Sequence, residues 1–368
     1  MRERRQIVRL WRQGGAAVLV TLVRVAGSSY RRAGARLLLD AAGEYAGTIS
    51  GGCLEAEVTR KAAWIVRDGA VVEQYSTMFD DTADIPFGLG CGGVVDLLIE
   101  PTNTAECRAL MESMEDSLQG KETTVVSWLP GEGKGLRRLV LAPDGAVIFA
   151  SAGLSESKIN CAKGLLAGGE YEGRFVEELR APQRLFVLGA GDDAKPLVSM
   201  ATLLGWSVTV ADGRSQLARR ERFPGAERVA LLQELNAEDL GIRRNDAAVL
   251  MTHSYEQDRE ILASLLPFAP GYLGLLGARH RSSLLVSEVA VKIGWTVEEC
   301  CKFIHAPVGM DLGGDGPEAI ALAVIAEVQA FCQGKPGVSR RLTAESVAKQ
   351  VERGGASRYL QAQCAMSS

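Results

Sequence analysis

The stretch RLFVLGAGDDAKPLVSMATLLGWSVTVADGR, residues 184–214, decides the fold class. Leu185 to Leu188 is a continuous apolar run of the kind that suits a parallel strand buried on both faces, and Gly189-Ala190-Gly191 ends it. Helical spacing follows: Leu197, Met200, Ala201 and Leu204 recur three and four residues apart, and Gly205 stops the helix. Val208, Val210 and Asp212 form the next strand. Strand, glycine turn, helix and strand make a mononucleotide-binding half-unit. In such a unit the glycines let a pyrophosphate approach the helix N-terminus, and an acid roughly 20 residues on reads a ribose. Gly189, Gly191 and Asp212 are therefore candidate nucleotide contacts, with NAD(P) as the candidate ligand. Asp192 and Asp193 oppose that assignment, because two negative charges fall where the diphosphate would sit. The alternative is that both acids offset the helix macrodipole in a Rossmann-like domain that holds no dinucleotide.

Toward the C-terminus, Ala247 to Thr252 reads as a third buried strand, and His253 lies just outside its carboxyl end, where open α/β sheets bind ligands. Tyr272 to Gly277 is a further strand, leading into Arg279-His280-Arg281. Ile304 to Gly313 reads as a loop, and Pro317 opens a helix that runs to Phe331. The remainder, Gly334 to Ser368, is a polar and partly helical tail.

Toward the N-terminus, a short basic amphipathic helix around Ile7 to Trp11 precedes a strand over Ala16 to Val25. Arg31, Arg32 and Arg36 then fall in and beside a turn that feeds the strand Arg36 to Asp40. Such a turn is either simply solvated or an anion site built from guanidinium forks, with Arg31 and Arg36 as its candidates. The strand Tyr45 to Ile49 runs into Ser50-Gly51-Gly52-Cys53, and helical spacing starts at Leu54 and continues to Val66. Cys53 is thus placed at a helix N-terminus, where backbone amides attract anions and the same field lowers a thiol's pKa. A second loop, Pro86 to Gly93, surrounds Cys91 with glycines that include Gly90 and Gly92, and opens into the strand Val94 to Glu100. Two Gly-Cys loops in one small domain suggest a shared pocket, lined by Gly51, Gly52, Gly90 and Gly92. Beyond it come a helix over Thr104 to Leu118, three strands separated by turns, and a short helix over Ser155 to Leu166, with no chemistry evident.

Length and composition bound the rest. The chain has 368 residues, 47% hydrophobic and 23% charged, which suits two or three globular domains: 1–181, 182–333 and the tail 334–368. A net charge of −4 points away from nucleic acid as a partner. Arg4-Arg5 is followed by no export-type apolar run, and no stretch is long enough for a membrane span, so the expectation is a cytoplasmic protein. The eight cysteines show no C-x-x-C spacing and have three histidines for company, which argues against zinc and for reduced, mostly buried thiols.

The segments TISGGCLEAEV, PFGLGCGGVVDLLIEP and LVTLVRVAGSSYRRAGARLLL, spanning roughly Ala17 to Pro101, resemble the N-terminal domain of the xanthine dehydrogenase accessory factor family (XdhC/CoxI). VLGAGDDAKPL, VTVADGR, VLMTHSYEQD, GYLGLLGAR and IHAPVGMDLGGDGPEAIALAVIAEV resemble successive blocks of that family's Rossmann-like domain. The resemblance implies a cytoplasmic chaperone rather than an enzyme. Such a chaperone binds molybdenum cofactor, as molybdopterin or its dinucleotide form, protects it while a cysteine desulfurase route installs its terminal sulfur, and hands it to a molybdenum hydroxylase apo-enzyme. It places Cys53 and Cys91 near the metal and the arginines near the pterin phosphate, which suits soft thiolates and guanidinium groups respectively. One departure is visible: the family commonly has GAGHVA where this chain has Asp192 after the glycines. A homodimer stands among the assembly states left open. The expected fold class is α/β, an N-terminal α+β domain followed by a Rossmann-like domain with a mostly parallel sheet. The competing functional readings are an NAD(P)-dependent oxidoreductase and a scaffold for other maturation proteins.

Overall fold

A computed structural model describes residues 1–354 apart from 28, 53, 77–92, 132–133, 169–170, 233–239 and 340. By compactness the chain divides into two units, Met1–Ala190 with Val198–Gln233, and Gly191–Leu197 with Glu234–Ser368.

The first unit begins with α1 (Arg2–Gln13), a basic helix that buries Ile7, Val8 and Leu10. Strands β1 (Ala16–Ala26), β2 (Arg36–Asp40) and β3 (Tyr45–Gly47) follow, then α2 (Glu55–Ile65), β4 (Val71–Ser76), β5 (Val94–Pro101) and α3 (Ala105–Leu118). The five strands form an antiparallel sheet in the order β3-β2-β1-β5-β4. Its run VLVTLV in β1 is buried along its length because both faces are covered. The pleat sorts the residues by parity. Val18, Val20 and Leu22 pack with Leu37, Leu39 and the α2 residues Val58 and Ala62. Leu19 and Leu38 point the other way, onto Ile7 of α1 and Leu110, Met111 and Met114 of α3. Each such leucine contributes about 1.5–3 kcal/mol by leaving water.

A second antiparallel sheet, ordered β8-β7-β6-β9, comprises β6 (Thr123–Trp128), β7 (Arg137–Leu141), β8 (Val147–Ala150) and, after the short α4 (Glu156–Ala162), β9 (Arg174–Leu179). Val125, Val140 and Leu179 join the core around α1 and α3, while Val126, Leu139 and Val176 face Ala162. Arg138 and Glu100 tie the two sheets together. Both are fully buried, with the guanidinium donating to Glu100 at 2.9 and 3.0 Å, to Ser127 Oγ at 3.0 Å and to the Glu106 carbonyl at 2.7 Å.

The remaining elements are β10 (Arg184–Leu188), α5 (Ala194–Leu203), β11 (Ser207–Asp212), β12 (Arg228–Leu231), β13 (Ala247–Leu250), α6 (Tyr255–Phe268), β14 (Tyr272–Leu275), α7 (Arg279–Ile293), α8 (Val297–Cys301), β15 (Ile304–His305), α9 (Pro317–Cys332) and α10 (Ala344–Gly354). Six strands form a sheet in the order β12-β11-β10-β13-β14-β15. β10, β11 and β12 pair in parallel, with Leu185 opposite Val208, and β13, β14 and β15 likewise, with Gly274 opposite His305. The chain is therefore α/β, with an α+β N-terminal part and a Rossmann-type, mostly parallel sheet. Ile304–His305 is a short edge strand rather than loop, because those two residues complete pairing with β14. Of the five described cysteines, Cys107 and Cys300 are buried but Cys161 and Cys301 are exposed, so burial is less general than composition suggests. No helix among the described residues is long and apolar enough to cross a membrane.

Candidate functional site

The turn between β3 and α2 is shaped by one acid. Glu55, in the first turn of α2, folds its carboxylate back and accepts the N–H groups of Ile49, Ser50 and Gly52, each at 2.9 Å, and of Gly51 at 3.3 Å. The Ser50 hydroxyl also donates to it, and accepts the Leu54 N–H at 2.9 Å. Gly51 and Gly52 have φ of +117° and +114°, which L side chains rarely adopt, so the backbone turns its amides inward only because these two positions are glycine. Burial opposes ionisation of Glu55. The Ser50 hydroxyl and the backbone donors outweigh it and hold the carboxyl down at about 2. The concavity that the sequence offers to a ligand anion is thus filled from within the chain, and its function is to fix the conformation of the loop.

Above that turn lies a cleft of about 740 Å³, lined by residues that include Glu3, Tyr30, Arg31, Tyr45, Thr48, Gly51, Gly52 and Arg60. The Tyr30 ring lies on Gly51, where a Cβ would meet ring carbons at 3.0–3.1 Å. Arg31 pairs with Glu3, whose other oxygen lies 3.4 Å from the Thr48 hydroxyl. A smaller cavity of about 370 Å³ shares Glu3, Tyr45 and Thr48 with the cleft and extends along β3. Arg36 does not line the cleft. Its side chain is buried, and its guanidinium engages Glu177 and donates to the Gly34 carbonyl at 3.2 Å. Gly51, Gly52 and Arg31 are therefore brought together, whereas Arg36 is held in a buried ion pair. Cys53, Cys91, Gly90 and Gly92 lie outside the described residues. Among the described residues no group of three or more metal-ligating side chains could hold a metal ion.

The glycine turn after β10 is braced in the same manner. Gly189 has φ of +130° and donates to the Ala211 carbonyl at 2.8 Å. Asp212, fully buried, accepts the Ala190 N–H at 2.7 Å, the Arg214 N–H at 2.8 Å and two guanidinium N–H groups of Arg214 at 2.8 and 2.9 Å. Burial would raise its pKa. The Arg214 side chain and the two backbone donors prevail and lower it. Both oxygens that a ribose would need are thus engaged by the chain itself. In the other unit, Asp193 leans over Gly191, where a Cβ would meet its Oδ1 at 2.5 Å, and Asp193 Oδ2 is 2.7 Å from Nε2 of His253. His253 reaches this position with a left-handed backbone, φ +62°, uncommon for a residue with a side chain. Asp192 pairs with Lys195 at 2.7 Å.

Sequence reasoning missed Glu55, Glu3, Tyr30 and Tyr45. For Glu55 a signal existed, since an acid in the first helical turn directly after a Gly-Gly turn faces orphan amides. Glu3, on α1, and Tyr45, on β3, reach the cleft only through α1 packing beside β3, which no local pattern encodes.

The chain thus joins an antiparallel α+β part with its own cleft to a mostly parallel sheet of Rossmann type. Residues 10–76 match the XdhC and CoxI family, and residues 185–328 match the XdhC Rossmann domain. The chain is 30% identical over 317 residues, 85% of its length and 92% of the relative's, to a Bacillus subtilis protein whose name describes it as a probable xanthine dehydrogenase subunit. It is 26% identical, over 86% of its length and 83% of the relative's, to the molybdenum cofactor insertion chaperone PaoD of Escherichia coli. A crystal structure described as a xanthine dehydrogenase from Bacillus halodurans superimposes with a TM-score of 0.76 at 25% identity, covering 94% of this chain and 99% of that one. The chain belongs to the XdhC/CoxI family.

Proposed function

We propose that the protein is an accessory factor that binds molybdenum cofactor, shields it, and passes it to the apo form of a molybdenum hydroxylase of the xanthine dehydrogenase/aldehyde oxidase type. In this reading it is a carrier in the cytoplasm and not a catalyst. One observation carries it: the cleft of about 740 Å³ over the Gly51-Gly52 turn lies largely within the residues that match the XdhC and CoxI family. A volume of that size suits a cofactor-sized ligand. That a relative alignable over 86% of the chain is named a molybdenum cofactor insertion chaperone supports the choice of ligand.

The groups present suit the cargo. Arg60 in the cleft lining supplies a guanidinium group for a pterin phosphate, in its plain or dinucleotide form. Cys53, next in the chain after Gly52, and Cys91 of the second Gly-Cys loop supply soft sulfur for the molybdenum end. Sulfur delivery by a cysteine desulfurase while the cofactor is held, and action as a homodimer, belong to the same proposal. So does the division into residues 1–181 as the cofactor domain and 182–333 as the Rossmann-like domain. A nicotinamide enzyme is the poorer reading, because Arg214 and the Ala190 N–H occupy both carboxylate oxygens of Asp212.

Mixing the cofactor-free protein with isolated molybdenum cofactor and passing it over gel filtration tests the proposal. Co-elution of molybdenum and oxidisable pterin with the protein, near one per chain, is expected. Elution of all pterin at the small-molecule position would refute the carrier role.

A further inference from the structure

Two features of the cleft bear on what it could hold. Tyr30 and Tyr45 are large aromatic side chains left 75% and 60% exposed, and both line it. The same lining holds the Arg31–Glu3 pair, part-buried, with Thr48 against the second carboxylate oxygen. Exposed tyrosines beside a cleft provide flat, amphipathic surface for a planar ring. A guanidinium and a carboxylate held side by side present donors next to acceptors, because Arg31 has five N–H groups and Glu3 has about four lone-pair sites, more than their mutual bond uses.

We propose that this cleft is the seat of the pterin ring, with Tyr30 and Tyr45 contacting its faces and Arg31 and Glu3 reading its pyrimidine edge. That edge offers an acceptor and two donors in a row: the 4-oxo oxygen, the ring N3–H and the 2-amino group. Arg31 meets the oxygen, and Glu3 accepts from N3–H and the amino group. The charge-assisted pair gives orientation as well as affinity. The tilt of Tyr30 is set by Gly51, whose missing side chain lets the ring lie on the peptide, so the Glu55-held turn also positions the aromatic wall. This inference rests on the carrier reading only for the source of the pterin, namely the molybdenum cofactor.

The probe is metal-free 6-hydroxymethylpterin, followed by quenching and anisotropy of its own fluorescence, beside 6-hydroxymethyllumazine, in which an oxygen replaces the 2-amino group. The intact protein is expected to bind the pterin at least roughly tenfold more tightly than the lumazine, since the lumazine turns an acceptor toward Glu3 and leaves a hydrogen-bonding group unmatched. Glu3→Gln is expected to abolish that discrimination, and Tyr45→Ala to weaken both ligands while Tyr45→Phe retains them. Melting curves establish that each variant is folded. Absence of pterin binding, equal affinity for the two rings, or unchanged discrimination in folded Glu3→Gln would overturn the seat. If the protein retains whole molybdenum cofactor in spite of one of those results, the seat falls and the carrier role stands. If it discriminates the rings but retains no cofactor, the carrier role falls and the seat stands.

Discussion

Glu55 accepts the backbone N–H of Gly52 at 2.9 Å, and through that bond the first residue of α2 holds the loop from which the cleft is built. The carboxyl is held at about 2, against an ordinary 4.5. A depressed pKa contributes stability that is fully present above about 4.5 and is lost as pH falls from there toward 2. Glu55→Gln exchanges an ionic acceptor for an amide whose NH2 faces other donors, and is expected to cost about 1–3 kcal/mol near neutral pH. Melting temperatures of parent and variant between pH 2 and 6 should converge on acidification. Parallel curves would mean that the carboxylate does not act through its charge.

Glu100 and Arg138 form the buried joint between the two antiparallel sheets. Removing one member leaves the other charge in the core, so Glu100→Gln and Arg138→Met are each expected to lose about 3–5 kcal/mol in denaturant titrations. The double replacement should lose less than the sum of the two, which is the mark of a coupled pair. Additive losses would show that the two residues do not stabilise each other.

Thiol reactivity should divide along burial. Cys107 lies in the core around α3, where burial, and secondarily the Glu100 charge, pushes its pKa well up, whereas Cys161 and Cys301 are exposed. Mass-spectrometric mapping after brief alkylation of the native protein should find Cys161 and Cys301 modified and Cys107 intact. Modification of Cys107 at a comparable rate would contradict the packing.

Asp193 and Asp192 set the expectation for dinucleotides. Each carboxylate near a phosphate repels it by an amount of order 1 kcal/mol in a partly solvated site, and Asp193 is additionally fixed by His253. Calorimetric titration of NAD and NADP should give weak binding to the parent, and roughly 30-fold tighter binding to an Asp192→Ala, Asp193→Ala variant. Tight binding by the parent that the variant abolishes would reverse the roles of these acids.

Much of this was legible in the sequence because burial leaves periodic traces. The run Leu185 to Leu188 and its glycines announced β10 and its turn, and the basic turn and the Gly-Gly stretch pointed to Arg31, Gly51 and Gly52 of the cleft lining but not to Tyr30. Three strands did not announce themselves in the same way. β4, β12 and β15 all lie at sheet edges, where one side lacks a partner strand, and the half-exposed pattern of β12 carries little apolar periodicity. The roles of the acids were hidden for a different reason. An acid such as Glu55 or Asp212 reads alike whether it awaits a ligand or satisfies its own chain's amides, and only the hydrogen-bond partners separate the two cases. Arg36 shows the same ambiguity, since a basic turn in sequence became a buried pair with Glu177, a residue 141 positions away.

Carriage of molybdenum cofactor for delivery is the role proposed for the protein. The most direct measurement is activation of a cofactor-free molybdenum hydroxylase by protein that has been loaded with cofactor and freed of excess by gel filtration. Activity is expected to rise with added loaded protein while molybdenum and pterin leave it in step, and protein loaded without cofactor should give none. A hydroxylase that stays inactive while the added protein keeps its cofactor, or that gains no more than from the same quantity of cofactor alone, would contradict the claim.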